Sequence, residues 1–370
     1  MNSKKKLLIF MPSIEGGGVE KNFFIISNFL AKKLNKVDIS IITADKKYKK
    51  NFNKKIKLIT PNSNYWSSRG RIVKYFVCLF LLFIYYLNNK KFLIFSFQAN
   101  IYAIFFSRIF RLKIISRSNS SPSGWSKNFL KNLIFKLLLK SANKIIVNSL
   151  DFKKELDKKF GVNSVCIYNP FDSRKVLKLS KKKIRFKFFQ NDKKSLKIIN
   201  VARFTDQKDH LTLLKSFKII KEKIPFKLLI IGRGANRDKM ISYINNNNLK
   251  KNIRILDFQK NPIKFMKLAE VFILSSTFEG LPNVLLEALY LKKFVISSDC
   301  PTGPREILSG GKGGLLFKVG DEVDLSKKIL SYFYNKISLR KKILYGKKEL
   351  KRFEYYENLK KYSDLVLKYL

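Results

Sequence analysis

Residues 269–308, AEVFILSSTFEGLPNVLLEALYLKKFVISSDCPTGPREIL, carry the reading of the whole chain. The run 271–276 has the apolar character of a buried strand. A turn follows through Thr277, Phe278, Glu279 and Gly280. A helix is predicted to begin at Pro282, because proline suits the first helical position, where no amide donor is needed. A second strand, 294–298, leads to another turn and a helix start within 301–306. Strand, glycine turn, helix, strand is a fragment of a doubly wound α/β sheet, and such sheets bind ligands at the carboxyl ends of their strands.

The spacing inside this stretch suits a nucleotide. A helix N-terminus offers free amides and the positive end of a dipole to a phosphate. Glu287 lies five residues beyond Pro282, roughly 7–8 Å further along the axis, about the reach from a diphosphate to the ribose of the same nucleotide. A carboxylate only accepts hydrogen bonds, so a pair of ribose hydroxyls is a natural partner. Glu279, in the turn, would look towards the group on the far phosphate. Taken alone, two glutamates at this spacing are more often a solvated helix residue and a turn residue than a ligand site.

The segment EGLPNVLLEAL resembles the signature of glycosyltransferase family 4, retaining enzymes of GT-B fold, and ISSDCPTGPREIL is similar to the same family. The resemblance implies two facing Rossmann-like α/β domains with an interdomain cleft. It places an acceptor-binding domain over residues 1–175 and a nucleotide-sugar-binding domain over 190–352. The last helix, about 353–370, would cross back to the first domain. The stretch 169–194, charged and irregular, is expected to be the linker.

The rest of the chain alternates as an α/β protein should. Strands are predicted at 5–11, 37–43, 56–60, 92–97, 113–116, 144–148 and 165–168. Helices are predicted at 19–34, 71–87, 101–110 and 127–141. In the C-terminal half, strands at 196–202, 227–232, 253–257 and 313–317 alternate with helices, one at 321–334. The glycine turn 16–18 opens the first helix, and glycine there lets backbone approach a ligand closely. It lacks the G-x-G-x-x-G spacing of a dinucleotide site. By resemblance, Gly17 and Gly18 face the donor diphosphate.

Arg203 and Lys208, in NVARFTDQKDH, sit just beyond a strand end. Two cations there would counter a diphosphate leaving group as charge develops. In so basic a chain they also read as ordinary surface residues. The resemblance, through an R-x4-K element, assigns them to the diphosphate. It also puts the nucleotide base near Asp257 and Phe258, and lines the diphosphate with Gly280, Leu281 and Asn283. Catalytic roles then fall to Glu279, Arg203 and Lys208, and the donor would be a UDP-sugar. His210, the one histidine, stands at a helix start and reads as structural. Family members often use a histidine in the N-terminal domain, and this chain has none there. SFQAN and SRSNS offer Ser96, Gln98, Asn100, Arg117, Ser118 and Asn119 instead, with Asn100, Arg117 and Asn119 assigned to the acceptor.

Bulk properties frame the function. The chain has 370 residues, 77 Lys+Arg against 26 Asp+Glu, and a formal charge of +51. Such a surface attracts polyanions or anionic lipid. No nucleic-acid motif accompanies the charge, so nucleic acid is not the expected partner. No Asp-x-Asp pair and no His/Cys cluster is present, so metal-independent chemistry is expected. Cys78, Cys166 and Cys300 are scattered and odd in number, which suggests reduced thiols in a cytosolic setting. The apolar run 7–12 is too short for a signal peptide. The longest apolar run, 75–87, falls short of the roughly 20 residues that span a bilayer and reads as a buried or half-buried helix.

Helix 127–140 and the Arg69, Arg71, Lys74 cluster before Tyr75 could also lie on an anionic membrane. The expected activity is retaining transfer of a hexose or N-acetylhexosamine to a lipid-linked or surface-polysaccharide glycan. The enzyme would be cytoplasmic, peripheral on the inner face of the plasma membrane. A basic nucleic-acid-binding protein and a sugar-nucleotide epimerase of the same fold are the competing readings.

Overall fold

The structure, a computed structural model, describes residues 4–119, 125, 128–190 and 194–370. The chain divides into two compact units, Met1–Pro170 with Tyr355–Leu370, and Phe171–Glu354.

The first unit is a seven-stranded sheet: β1 Lys5–Phe10, β2 Val37–Ile42, β3 Lys57–Ile59, β4 Leu93–Ser96, β5 Lys113–Arg117, β6 Lys144–Val147 and β7 Val165–Cys166. Its order is β3-β2-β1-β4-β5-β6-β7, parallel throughout. β1 and β4 are apolar on both faces, as strands covered on both sides must be. One face packs Leu7, Ile9, Phe23 and Phe95 against the C-terminal helix Tyr355–Tyr369. The other packs Leu8, Phe10, Cys78 and Leu82 beneath the helices Arg71–Asn88, Asn100–Ile109 and Phe129–Ser141.

The second unit is a six-stranded parallel sheet: β8 Leu196–Val201, β9 Phe226–Ile231, β10 Ile253–Leu256, β11 Val271–Leu274, β12 Phe294–Ser298 and β13 Leu315–Phe317. The order is β10-β9-β8-β11-β12-β13. The strand order reverses between β8 and β11, which makes that junction the topological switch point where a doubly wound sheet takes its ligand.

Several expectations shift. The stretch 169–194 is more than a linker. Within its described residues lie the helices Ser173–Ser180 and Lys187–Gln190, and Val176, Phe186 and Phe189 are buried. Phe186 meets Phe265 edge-on at 5.4 Å. The apolar residues are spaced to dock on the second unit, and the intervening lysines hid that spacing. Pro282 is the N-cap, with the helix running Asn283–Tyr290. The next helix starts at Pro304, inside the expected 301–306. Lys127, assigned to a helix, lies outside the described residues.

Arg117 is fully buried at the end of β5. Its Nε donates to Tyr362 Oη at 2.9 Å and its Nη2 to Asn169 Oδ1 at 2.6 Å. A further N–H goes to Asn119, and the guanidinium lies over the Phe97 ring. Every one of these partners is neutral. The side chain therefore pins the C-terminal helix to the sheet and has no face left for an acceptor. Tyr362→Phe leaves one buried guanidinium N–H without its acceptor. The expected cost is about 1–3 kcal/mol of stability, measured by urea unfolding.

Candidate active site

Because the second sheet is wholly parallel, every loop that follows a strand emerges on one edge. Three such loops, after β8, β11 and β12, are tied together there. Glu279 is the knot. Its buried carboxylate accepts from the Lys208 ammonium and, at 2.6 Å, from the Ser276 hydroxyl. Its backbone N–H donates to Pro301 O at 3.0 Å, and its carbonyl accepts from the Thr302 hydroxyl at 2.8 Å. Gln207 adds two ties to the β11 loop: its carbonyl accepts from Thr277 N–H and its side-chain amide donates to Phe278 O, both at 2.8 Å. The Ser275 hydroxyl donates to Lys208 O at 2.9 Å.

Glycines permit this closeness. A Cβ at Gly303, where φ is +86°, would stand 2.1 Å from Gly280 O. One at Gly232 would stand 1.9 Å from Ala202 O. Neither position tolerates a side chain without the loops moving apart.

The expected site residues distribute as follows. Glu287 is buried in the Asn283–Tyr290 helix. Asn283 is the first residue of that helix and is half-buried. Gly280 is buried, as is Leu281, so only their backbone could meet a ligand. Lys208 and Glu279, assigned separately to diphosphate and sugar, are in direct contact. Arg203 follows β8 on the same edge and is exposed. Asp257 and Phe258 follow β10, also on this edge. Phe258 is half exposed and lies under the Arg233 guanidinium at 4.9 Å, while Asp257 pairs with Arg237 at 3.0 Å. The tying residues Gln207, Ser276 and Thr302 were not legible beforehand, because nothing in their spacing marks a contact between loops.

In the first unit, the glycine turn after β1 is held by groups far away in sequence. Ser13 N–H donates to Gln98 Oε1 and Ile14 N–H to Asp45 Oδ2, both at 2.8 Å. Glu20 accepts from the Gly17 N–H at 2.9 Å, so that amide, expected to face a donor, is already engaged. Glu20 stands three residues after the cap position, a capping-box spacing that was readable. Asp45 carried no such signal. Lys74, read as part of a surface cluster, is buried instead, with its ammonium 2.9 Å from Asp45. Arg71 pairs with Glu15. Asn100 donates to Arg117 O at 2.9 Å and Asn119 to Phe97 O at 3.0 Å, so both amides brace the ends of β4 and β5. Among the described residues, no three His, Cys, Asp or Glu side chains are grouped to hold a metal. The three cysteines are free, and burial with the nearby Glu279 charge pushes the Cys300 thiol up to about 12.

The comparisons agree with this architecture. The solved structure of HepE from Anabaena, in complex with UDP, superposes with a TM-score of 0.78 at 16% identity, covering 98% of this chain and 100% of that one. The fold is therefore that of the GT-B glycosyltransferases: two parallel-sheet, Rossmann-like units. Residues 180–349 match the family described as glycosyl transferases group 1. An uncharacterized glycosyltransferase of Methanocaldococcus jannaschii is 37% identical over 211 residues, 56% of this chain and 49% of the relative. A Campylobacter jejuni enzyme, N-acetylgalactosamine-N,N'-diacetylbacillosaminyl-diphospho-undecaprenol 4-alpha-N-acetylgalactosaminyltransferase, is 29% identical over 231 residues, 60% of this chain and 61% of that protein. The matches thus span about half to three-fifths of these relatives' lengths.

His210 is buried beside Phe204, ring centroids 5.2 Å apart, and neither ring nitrogen has a hydrogen-bond partner. Burial, with a smaller contribution from the Lys208 charge, lowers its pKa from 6.5 to about 4. Between those values the unfolded chain takes up a proton that the folded chain refuses. Stability is therefore lost as pH falls through this window, by at most about 3 kcal/mol. His210→Phe is expected to abolish this part of the acid sensitivity, seen by comparing urea midpoints of both proteins at pH 7 and pH 4.5.

Proposed function

We propose that the protein is a retaining glycosyltransferase that moves a hexose or N-acetylhexosamine from a UDP-sugar to a hydroxyl of a lipid-linked or surface-polysaccharide glycan. The observation that carries this reading is the pair of half-buried Lys208 and buried Glu279, at the switch point beside the helix that bears buried Glu287. Buried charges of this kind are costly to desolvate, and a ligand-binding role accounts for their position. The Campylobacter jejuni relative, named for N-acetylgalactosaminyl transfer onto a diphospho-undecaprenol-linked sugar, supports an N-acetylhexosamine donor and a lipid-linked acceptor.

In this reading the diphosphate caps the Asn283–Tyr290 helix, near the amides of Gly280 and Leu281. Glu287 accepts the ribose hydroxyls, and the base lies by Asp257 and Phe258. Glu279 orients hydroxyls of the donor sugar. The bond from the anomeric carbon to the diphosphate oxygen breaks while the acceptor oxygen bonds to the same face of that carbon. The acceptor's proton passes to the departing diphosphate. Arg203 and Lys208 stabilise the charge that develops there, so no metal ion is required. The enzyme works in the cytoplasm, held peripherally on the inner face of the plasma membrane where its acceptor resides.

Glu287→Ala is expected to weaken UDP binding about 10–100-fold, the worth of charged hydrogen bonds to two hydroxyls, as read by calorimetry. Unchanged affinity would remove Glu287 from the ribose site. Lys208→Ala is expected to lower the transfer rate on the order of 10²-fold, measured by mass spectrometry of glycolipid products after incubation with membranes and a panel of nucleotide-sugars. Consumption of a UDP-sugar without any acceptor would indicate an epimerase instead.

A further inference from the structure

Three helices of the first unit turn apolar side chains to solvent. On Arg71–Asn88 the stripe is Ile72, Val73, Phe76, Phe80, Phe83, Ile84 and Leu87, with Phe76 at 61% and Phe80 at 63% exposure. Their spacing of three and four residues puts them on one side of the helix. Asn100–Ile109 adds Tyr102, Phe105 and Ile109, and Phe129–Ser141 adds Phe129, Leu130, Leu133, Ile134 and Leu137. The stripes adjoin. Tyr102 meets Tyr75 at 6.1 Å and Phe76 at 6.3 Å, Phe83 meets Phe110 at 5.8 Å, and the second and third helices pack on each other. A contiguous apolar surface of this extent marks an interaction site.

Charge identifies what covers it. From residue 46 to residue 150 the sequence holds 21 Lys and Arg and no Asp or Glu. Lys131, Lys136 and Lys140 are exposed on the helix that carries the third stripe, and Arg108 and Arg111 are exposed at the end of the second. An apolar face on helices that hold no acidic residue of their own and bear exposed Lys and Arg matches the boundary of an anionic bilayer, where acyl chains lie beneath negative headgroups. Two copies of this chain meeting through the same face would bring like charges together.

The Arg71–Asn88 helix is long and apolar enough to cross a membrane, but its other side is committed to the protein. Cys78 and Leu82 are fully buried against the sheet, and Lys74 is bound to Asp45. It can lie on a bilayer and cannot leave the fold to span one without breaking that core.

We propose that the outer faces of these three helices form a docking surface for an anionic lipid bilayer, with Phe76, Phe80, Leu133 and Ile134 entering the acyl boundary and Lys131, Lys136 and Lys140 meeting headgroups. This surface gives a place to the peripheral membrane contact in the reading above, and it rests on that reading only for its purpose. The same helix holds the glycine turn through the Lys74–Asp45 and Arg71–Glu15 pairs, so the docked face and the turn form one braced element.

Flotation of the full chain tests the surface without any transfer assay. Vesicles of equal parts phosphatidylcholine and phosphatidylglycerol are expected to carry the protein upward, pure phosphatidylcholine vesicles far less, with binding falling as salt rises. Two double variants, Phe76→Glu with Phe80→Glu and Leu133→Glu with Ile134→Glu, alter exposed side chains on different helices. Each is expected to lose about tenfold or more of the partitioning, and Lys131→Glu with Lys136→Glu a similar amount at low salt, all with an unchanged circular dichroism spectrum. Absence of flotation by the unaltered chain would overturn the proposal. So would undiminished binding by both apolar variants, or a lipid-independent dimer that those variants convert to monomer. UDP affinity measured on the same samples keeps this result separate from that of the donor site.

Discussion

The ion pair between Lys208 and Glu279 joins loops that leave two different strands, and most of what makes the second unit a site follows from it. Parallel strands deliver all their carboxyl ends to one edge, which gathers the loops without ordering them. Order comes from Glu279, whose side chain takes Lys208 and Ser276 and whose backbone takes Pro301 and Thr302. A buried pair of opposite charges brings little net stability, since desolvation offsets the attraction. An apolar pair of the same volume would hold the loops as well. In the proposed reading the charges serve a ligand, Lys208 exchanging the carboxylate of Glu279 for a phosphate oxygen.

The first unit solves a similar problem with different parts. Its glycine turn has little intrinsic preference for one conformation, and it is fixed from outside by Asp45, Gln98 and Glu20. Asp45 in turn neutralises Lys74 on a helix whose opposite face is apolar and exposed. The sheet, the turn and the outer helices are therefore linked through a single buried carboxylate. Arg117 does the corresponding work at the far side, tying the C-terminal helix to the end of β5 through hydrogen bonds to neutral groups.

Much of this architecture was legible in the amino-acid order. The uninterrupted apolar runs at 7–10 and 271–274 could only be strands covered on both faces, and the alternation with helices followed. The placement of Glu279 and Glu287 near a helix start was also readable, because spacing along a helix is local geometry. What escaped was long-range. Lys74 and Lys208 look like every other lysine in a chain of formal charge +51, and only the fold reveals that each is paired with a buried carboxylate. Arg117 looked like a ligand for the same reason that makes it structural: an arginine among serines and asparagines at a strand end suits either role. Apolar periodicity was equally two-sided for residues 71–88, where both faces are apolar and pattern alone cannot tell which one meets solvent.

The central claim is that a nucleoside diphosphate binds where these loops are tied, with its phosphates at the start of the Asn283–Tyr290 helix. A crystal structure of the full chain with UDP tests it most directly. The diphosphate is expected beside Arg203 and Lys208, and both ribose hydroxyls on the carboxylate of Glu287. UDP found away from these residues, or no bound UDP at saturating concentration, would contradict the claim.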